Sequence, residues 1–273
     1  MKSCNAEHRL DRADKIQLGT LNYYRRHLDP EIGDSTESNF EVLIDTLGPQ
    51  SFSAELLQRM FYDHVIFDEA AVSARSSKQD SPLQRPCTFS LGTKTFFGAL
   101  ENGRCILDIQ GMSIATTGSD AMIFCLSIVD NVAEGSKMDY SDQWKMNVSD
   151  ADDFAKQLST EFNSFSSDVW PRLCPKDVDP MKYRLAGVHV MHGPVSYTDK
   201  TISFVDPKDD DLKGAAYGLE QSDFLKSKRY RYQGEYRFVL RLVHEQRVLA
   251  LNSEVDHVFL DSNPFKRFMI QQA

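Results

Sequence analysis

Short apolar runs recur along the chain, and most of them alternate with polar residues and end at Gly, Pro, Asn or Asp. Both features are typical of β-strands. Residues 121–130 are almost continuously apolar, which is typical of a central strand that is buried on both faces. The pattern predicts strands at residues 15–25 (a strand and its turn, with Gly19 as a bend), 40–44, 88–100, 105–117, 121–130, 184–197, 226–240, 247–251 and 257–261.

Helical spacing of apolar residues is found in fewer segments. Residues 149–165 have apolar side chains at positions 154, 155, 158, 162 and 165, and acidic residues follow a candidate N-cap, Ser149. This pattern predicts an amphipathic helix. Further helices are predicted at residues 6–15, 53–65 and 222–226. Polar loops are predicted at residues 26–39, 73–86 and 206–214, and the acidic run of the last loop is expected to be solvated.

Turn chemistry and the order of elements indicate the fold class. Asn102 and Gly103 lie between two strand-like segments, which predicts a hairpin. Strands and helices do not alternate regularly, so we expect an α+β fold rather than a doubly wound sheet. Because the chain has no internal repeat and no linker, we expect one domain over residues 1–273, with a split, mostly antiparallel sheet and surrounding helices.

Composition and charge narrow the class of protein. Of 273 residues, 41% are hydrophobic and 11% aromatic, which is enough for a packed core and argues against global disorder. The net charge of −9 argues against a general electrostatic grip on nucleic acid, but a local basic patch stays open. No apolar run reaches about 18 residues, so we expect no membrane span. The polar N-terminus lacks the apolar centre of a secretory signal, which predicts a cytoplasmic protein.

Several common kinds of site are absent from the sequence. The five cysteines are widely spaced and form no Cys-x-x-Cys pair, which argues against a zinc knuckle or a disulfide framework, and no metal is expected. Buried thiols are the expected state; a cysteine nucleophile is the alternative, but no cysteine has an adjacent histidine. Neither a P-loop nor Gly-x-Gly-x-x-Gly occurs, which excludes P-loop ATPases and Rossmann dehydrogenases.

The predicted strand at residues 226–240 contains an unusual polar face. Alternation along a strand places Gln233, Glu235 and Arg237 on one face and apolar residues on the other, with Gly234 leaving room for a ligand or another backbone. Nearby cations favour an ionised Glu235, which suits the stabilisation of a developing positive charge better than proton transfer at neutral pH. The simpler alternative is a half-solvated face on which Glu235 forms a structural ion pair.

These residues resemble a known motif. "QGE" at positions 233–235 resembles the Gln-x-Glu version of the motif of ADP-ribosyltransferases. In the same order, four segments resemble a bacterial family that looks like a divergent branch of that fold, and many of its members occur in phage-defence or toxin–antitoxin settings. The resemblance covers most of the chain in layout but few positions in identity, and its segments are "LGTLNYYR" (18–25), "IFCLS" (123–127), "VSY" (195–197) and "FLKSKRYRYQGEYRFVL" (224–240).

The resemblance implies an ADP-ribosyltransferase-like fold with NAD as co-substrate. Glu235 would hydrogen-bond the 2′-hydroxyl of the nicotinamide ribose, and Gln233 would face the acceptor. The family's usual first-strand anchor for NAD has no counterpart, because Gln17 stands where a histidine is usual, and Arg25 is our substitute since arginine forks hold phosphates. Only Ser127 represents the Ser-x-Ser of the middle strand. Tyr23 and Tyr24 are candidates to stack on NAD, with a core position as the alternative.

The resemblance also implies an acceptor and partners. The basic and aromatic segment before Glu235 makes a nucleic acid as plausible an acceptor as a protein. The relatives imply a toxin-like effector, with an antitoxin protein as a candidate partner. Two alternatives stay open: an NAD glycohydrolase on the same fold, and a non-catalytic binding or sensor module. The acidic loop residues Asp34 and Glu37 are expected to be solvated, and a role in ordering Arg25 is the alternative. The expected acceptor-side residues are Lys226, Lys228, Tyr230, Arg231 and Arg237.

Overall fold

The structure is a computed structural model that describes residues 1–4, 6–28, 33–61, 87–90, 94–97, 102–117, 120–128, 142–164, 170–245 and 247–270. The predicted loop at residues 73–86 lies outside these ranges. The described strands are β1 (Lys2–Cys4), β2 (Lys15–Thr20), β3 (Asn39–Asp45), β4 (Gln50–Ser53), β5 (Cys87–Ser90), β6 (Lys94–Phe97), β7 (Arg104–Gln110), β8 (Met112–Thr117), β9 (Met122–Ser127), β10 (Asp142–Trp144), β11 (Gly187–Pro194), β12 (Ser196–Thr198), β13 (Thr201–Val205), β14 (Leu225–Ser227), β15 (Glu235–His244), β16 (Arg247–Val248) and β17 (His257–Asp261).

In the described part of the chain, helices are fewer than strands and mostly short. The α-helices are α1 (Leu21–Arg26), α2 (Ala54–Phe61), α3 (Ala151–Asn163), α4 (Trp170–Leu173), α5 (Pro180–Arg184) and α6 (Asp209–Glu220). The 3-10 helices are Ala6–His8, Val148–Asp150, Ser222–Phe224, Lys228–Gln233 and Asn263–Phe268. Within the described ranges, no helix is long and apolar enough to cross a membrane.

The chain forms two compact units. The first unit contains Met1–Glu37, Ser119–Tyr197 and Lys226–Ala273, and the second contains Ser38–Gly118 and Thr198–Leu225. Helices and mostly antiparallel sheets are mixed in both, so the coarse α+β expectation is confirmed. The expectation of one domain over the whole chain stays a prediction.

The main sheet of the first unit is antiparallel, with the strand order β11–β15–β9–β2–β17, and β16 pairs with the end of β15. Strands β1 and β10 form a separate two-stranded antiparallel sheet. The run at residues 121–130 therefore forms a central strand, β9, as its continuous apolar character predicted. The apolar side chains of α3 complete this core, because Phe154 packs its ring against Phe124, Phe238 and Phe265 at centroid distances of 5.6, 4.9 and 5.1 Å. The amphipathic helix predicted over residues 149–165 is thus confirmed in its central part.

The second unit contains two smaller sheets, with the orders β13–β3–β8–β5 and β4–β7–β6. Only the β13–β3 pair is parallel among the described pairs of this unit. Strands β6 and β7 form the hairpin predicted from Asn102 and Gly103, and both turn residues have the positive φ of 51° and 72° that a tight hairpin turn requires. Helices α2 and α6 contribute buried apolar faces to this core.

Near the N-terminus, two predicted elements are wrong. Residues 6–15 form only one 3-10 turn, Ala6–His8, since Leu10 and Ala13 alone are buried over the next six residues. Residues 21–25, predicted as a turn, lie in helix α1, which begins because the Thr20 hydroxyl accepts a hydrogen bond from the Tyr23 N–H at 3.1 Å and caps the helix.

Later in the chain, the acidic run at residues 206–214 is not a loop. It contains the start of α6, where the three aspartates of the first turn interact favourably with the helix dipole and Asp211 accepts a hydrogen bond from the Lys208 N–H at 2.8 Å. Ser149 is not the N-cap of α3, because a 3-10 turn precedes that helix and α3 begins at Ala151. The strand predicted at residues 184–197 begins only at Gly187, after helix α5, and the one at residues 247–251 has only two residues, Arg247–Val248.

Candidate active site

The stretch at residues 226–240 is three elements rather than one strand. Strand β14 ends at Ser227, the 3-10 helix Lys228–Gln233 follows, and β15 begins only at Glu235. Gly234 separates the last two elements with a φ of +49°, a left-handed conformation that side chains other than glycine rarely adopt. Gln233 therefore does not share a strand face with Glu235, and that part of the prediction is wrong.

From Glu235 onward the alternation holds, but both faces of β15 are buried. Phe238, Leu240 and Leu242 belong to the apolar core, as predicted. On the other face, Glu235 is only 6% exposed and Arg237 only 2%. The half-solvated face of the simpler interpretation is therefore not observed, and charged side chains lie where a sheet normally packs apolar ones.

The Glu235 side chain is held by three donors. Its Oε2 accepts a hydrogen bond from Lys226 Nζ at 2.9 Å. Its Oε1 accepts from Arg237 Nε and from the thiol of Cys125, whose Sγ lies 3.0 Å away. The backbone N–H of Glu235 donates to the hydroxyl of Tyr197 at 2.7 Å. Side-chain and backbone contacts together fix the position of this carboxylate.

Each of the two cations also has a second partner. Lys226 Nζ donates to Gln233 Oε1 at 2.7 Å, and Arg237 Nη1 lies 2.7 Å from Glu37 Oε1. We call Lys226, Arg237, Glu235 and Glu37 the buried charge cluster. Its two cations balance its two carboxylates, and such pairing is what makes buried charges tolerable in a protein interior.

The cluster determines protonation states. Burial alone raises the pKa of the Glu235 carboxyl, but Arg237 and Lys226 outweigh burial and hold this pKa well below its usual range. Glu235 is therefore ionised at neutral pH, in agreement with the expectation from sequence. Burial, followed by the charge of Glu235, raises the pKa of the Cys125 thiol well above its usual range. Cys125 thus stays protonated and acts as a hydrogen-bond donor, which argues against the cysteine-nucleophile alternative.

Three of the segments singled out in the sequence lie on adjacent strands. Glu235 is directly opposite Ser127 on β9, and Arg237 is directly opposite Cys125. Directly opposite residues project to the same face of a sheet, so Ser127 lies on the side of Glu235. Strand β9 in turn pairs with β2, which ends in the "LGT" segment. The order β15–β9–β2 brings together segments that are more than a hundred residues apart along the chain.

The Tyr24 ring packs closely on β2 because of a glycine in that strand. A Cβ atom on Gly19 would lie 2.8 Å from the Tyr24 ring, so only glycine leaves this space for the ring. Burial, followed by the charges of Cys125 and Glu235, raises the pKa of the Tyr24 hydroxyl well above its ordinary value.

Arg25 and Tyr23 lie near the cluster through other contacts. Arg25 Nε donates to the backbone carbonyl of Glu37 at 3.1 Å, so Glu37 contacts Arg25 through its main chain and Arg237 through its side chain. Tyr23 packs in an aromatic group, with ring centroids 5.0 Å from His27 and 4.3 Å from His257. These contacts do not test NAD binding, so the roles of Arg25 and Tyr23 in holding NAD stay predictions.

The predicted acceptor-side residues divide into two sets. Tyr230 is buried: its hydroxyl donates to the carbonyl of Gly33 at 2.7 Å, and its ring lies 4.7 Å from Lys226 Nζ and 4.6 Å from the Arg229 guanidinium. Lys226 and Arg237 are buried as well. In contrast, Lys228 and Arg231 project from the 3-10 helix as exposed residues.

Three residues of the site were not assigned from the sequence: Glu37, Cys125 and Tyr197. A signal existed for Cys125, because it stands two residues before Ser127 and must share its strand face. Glu37 was expected to be solvated, and so was Asp34, but they are 2% and 1% exposed. That expectation is wrong because Glu37 pairs with an arginine two hundred positions away, which local sequence cannot indicate.

No group of three or more His, Cys, Asp or Glu side chains is placed to hold a metal ion in the described part of the chain. The chain matches no protein-family model, no curated protein and no solved structure. The interpretation of the site therefore depends on its own geometry and on the resemblance in the sequence.

Proposed function

We propose that this protein is an NAD-dependent ADP-ribosyltransferase with Glu235 as its catalytic carboxylate. The observation that carries the proposal is the strand order β15–β9–β2, because it gathers the three segments that resemble the motifs of that superfamily. The ionised state of Glu235 and the position of Ser127 opposite it add support.

In the proposed reaction, the bond between nicotinamide and the ribose C1′ breaks and nicotinamide leaves with the bonding electron pair. The ribose ring then carries a developing positive charge, which an ionised carboxylate stabilises. A nucleophilic atom of the acceptor forms the new bond to C1′ and releases its proton to solvent. Lys226 and Arg237 keep Glu235 ionised and oriented, and a ribose hydroxyl must displace one of the donors that now hold the carboxylate.

A macromolecular acceptor would meet the exposed residues of the 3-10 helix. Lys228, Arg231 and Tyr232 are exposed on this helix, which ends beside Glu235. A basic and aromatic surface suits a nucleic acid, and a protein acceptor is the alternative. The role as a toxin-like effector in bacterial defence, with an antitoxin partner, is part of the proposal and rests on the sequence resemblance alone.

The test is incubation with NAD labelled in its adenylate part and separate pools of RNA, DNA and cell protein. Glu235→Gln removes the charge with little change in shape, and Glu254→Gln is the matched control, because Glu254 pairs with Lys176 at an exposed site. We expect label in one pool with the natural chain and the control, and none with Glu235→Gln at a temperature where circular dichroism shows it folded. Absence of both label transfer and nicotinamide release with the natural chain would refute the proposal.

One observation favours water as the acceptor. Gln233 is only 9% exposed and its Oε1 accepts from Lys226, so a bulky acceptor has little access to the residue expected to face it. An NAD glycohydrolase on the same fold would release free ADP-ribose and nicotinamide in equal amounts and would label no pool.

The full charge compensation of the cluster favours a third candidate, a non-catalytic binding or sensor module in which Glu235 only forms ion pairs. For that candidate, NAD stays intact with every variant. Glu235→Gln then changes stability without changing any cellular effect of the protein.

A further inference from the structure

A pocket of about 290 Å³ lies in the first unit, beside the face of β15 opposite to Glu235. Most of its wall is apolar, and three of the side chains that line it are large apolar groups in contact with solvent. These are Ile128, Val148 and Ile270, which are 50%, 65% and 40% exposed. Exposed apolar side chains grouped around one concave site are typical of a place where a ligand binds.

Two uncharged polar side chains on the wall are already bound within the protein. Asn147 donates from Nδ2 to a carboxylate oxygen of Asp150 at 3.3 Å, and the hydroxyl of Tyr236 lies 2.8 Å from His192 Nδ1. An amide and a hydroxyl can both donate and accept hydrogen bonds. Asn147 and Tyr236 therefore do not determine the charge of a ligand in this pocket.

The charged groups of the wall are the amine of Met1 and the ammonium group of Lys145. Met1 is fixed in place, because its amine donates to the Ser127 carbonyl at 2.7 Å and its own carbonyl accepts from the Ser127 N–H at 2.6 Å. Burial, followed by the charges of Lys145 and Lys2, lowers the pKa of this amine to about 6. At neutral pH the full positive charge of the wall is therefore that of Lys145.

Among the residues that the structure describes, no carboxylate forms an ion pair with Lys145. Asp142, three positions before Lys145, lies 3.5 Å from Arg9 and 3.6 Å from Arg12. Asp150 accepts a hydrogen bond from an amide of the wall. A half-buried cation with no counter-ion favours a ligand that is an anion, since the anion supplies the missing partner.

We propose that this pocket binds a small aliphatic carboxylic acid, with its carboxylate beside Lys145 and the Met1 amine and its chain along the apolar wall. That wall includes Leu126, Met146 and Phe238. A carboxylate carries a single negative charge, which matches the single full cation, whereas a dianion would leave a charge uncompensated among apolar side chains. The volume is sufficient for about ten groups of the size of water or methylene, which suits a chain of about eight carbons.

The probe is octanoate, with octanamide and octylammonium as its uncharged and cationic counterparts, and the measurement needs no NAD. Methyl-labelled methionine gives an NMR signal for Met146 in the wall, assigned with Met146→Leu, and Met181 on α5 is exposed and serves as a reference. We expect octanoate to shift the Met146 signal with a dissociation constant at or below about 1 mM. Hexanoate should bind about tenfold more weakly, because each buried methylene changes affinity about fourfold.

Two variants at one position test the role of charge. Lys145→Met removes the charge and should weaken octanoate binding about tenfold or more, with little effect on octanamide. Lys145→Glu reverses the charge, so octylammonium should bind to that variant and octanoate should not. The matched control is Lys176→Met, at an exposed lysine of the same unit, which should bind octanoate as the natural chain does. Circular dichroism shows whether each variant is folded.

Three results would overturn the proposal. The first is a Met146 signal that does not respond to octanoate, or that shifts no more than the signal of Met181. The second is octanamide binding to the natural chain as tightly as octanoate, since the charge of the ligand would then not matter. The third is equal affinity for octanoate of the natural chain and of folded Lys145→Met and Lys145→Glu variants.

Discussion

Replacing Lys226 by methionine tests the buried charge cluster most directly. Methionine keeps most of the length and the apolar stem of lysine but removes the charge. The cluster then holds two carboxylates and one cation in a buried site. Burial by itself lowers the pKa of Lys226, but Glu235 and Glu37 outweigh it and raise this pKa, so the natural residue is charged at neutral pH.

The size of the effect follows from the contacts that are lost. Lys226 Nζ donates to Glu235 at 2.9 Å and to Gln233 at 2.7 Å. Hydrogen bonds to charged groups contribute about 1.5–3 kcal/mol each, and removal of one partner of a buried ion pair costs about 3–5 kcal/mol. We therefore expect Lys226→Met to lower the free energy of unfolding by about 3–5 kcal/mol.

Urea denaturation at neutral pH measures this free energy, and a double-mutant cycle isolates the pair. Adding Glu235→Gln to Lys226→Met restores charge balance, since Arg237 and Glu37 then remain as one pair. The double variant should be more stable than the sum of the two single effects predicts, by about 2 kcal/mol. The control is Lys176→Met, which removes one partner of the exposed pair with Glu254 and should cause no measurable change.

Two results would refute this account of the cluster. One is a loss of stability with Lys226→Met no larger than with Lys176→Met. The other is strict additivity in the cycle, since it would mean that Lys226 and Glu235 do not interact.

Two further predictions concern pH and packing. Because the folded-state pKa of Glu235 lies well below its ordinary value of 4.5, its contribution to stability is complete above that value and is lost as the pH falls. Between about pH 4.5 and pH 3 we expect the free energy of unfolding, measured by urea denaturation, to fall by about 2 kcal/mol because of Glu235. A Glu235→Gln variant whose free energy of unfolding falls as much over the same pH range would contradict this prediction. In helix α6, Gly214→Ala meets open space and should raise stability by up to about 1 kcal/mol, whereas Gly218→Ala places a Cβ 2.5 Å from Phe40 and should lower it. Thermal melting of the two alanine variants compares them, and equal shifts would contradict this reasoning.

The sequence was most informative where burial is continuous and local. The apolar run at residues 121–130 identified the central strand β9, and the helical spacing after residue 149 identified α3. The Asn102 and Gly103 pair identified a hairpin because two adjacent positive φ angles are required there. In each case a single physical requirement acts over a few neighbouring residues.

The errors arose where one local pattern has two physical explanations. Alternation around "QGEYR" predicted one strand, but Gly234 adopts a left-handed conformation and Gln233 ends a 3-10 helix. The three aspartates of α6 appeared to be a solvated loop, although acidic residues are also favourable in the first turn of a helix. Glu37 could not be assigned, because its partner is fixed by the tertiary fold and lies two hundred positions away.

The buried charge cluster has two competing explanations, one in stability and one in chemistry. Replacing buried ion pairs by apolar residues of similar volume often leaves the free energy of unfolding unchanged or raises it. Four buried charges therefore stabilise a fold no more than apolar residues in the same positions usually do. Carboxyl groups whose pKa is strongly shifted by specific neighbouring cations are common at functional sites. The Lys226→Met and Glu235→Gln double variant separates the two explanations, because it restores charge balance yet lacks the carboxylate. If that variant is folded and leaves NAD intact while the natural chain cleaves it, the pair of Lys226 and Glu235 acts in the chemistry. If the natural chain also leaves NAD intact, the cluster serves the fold.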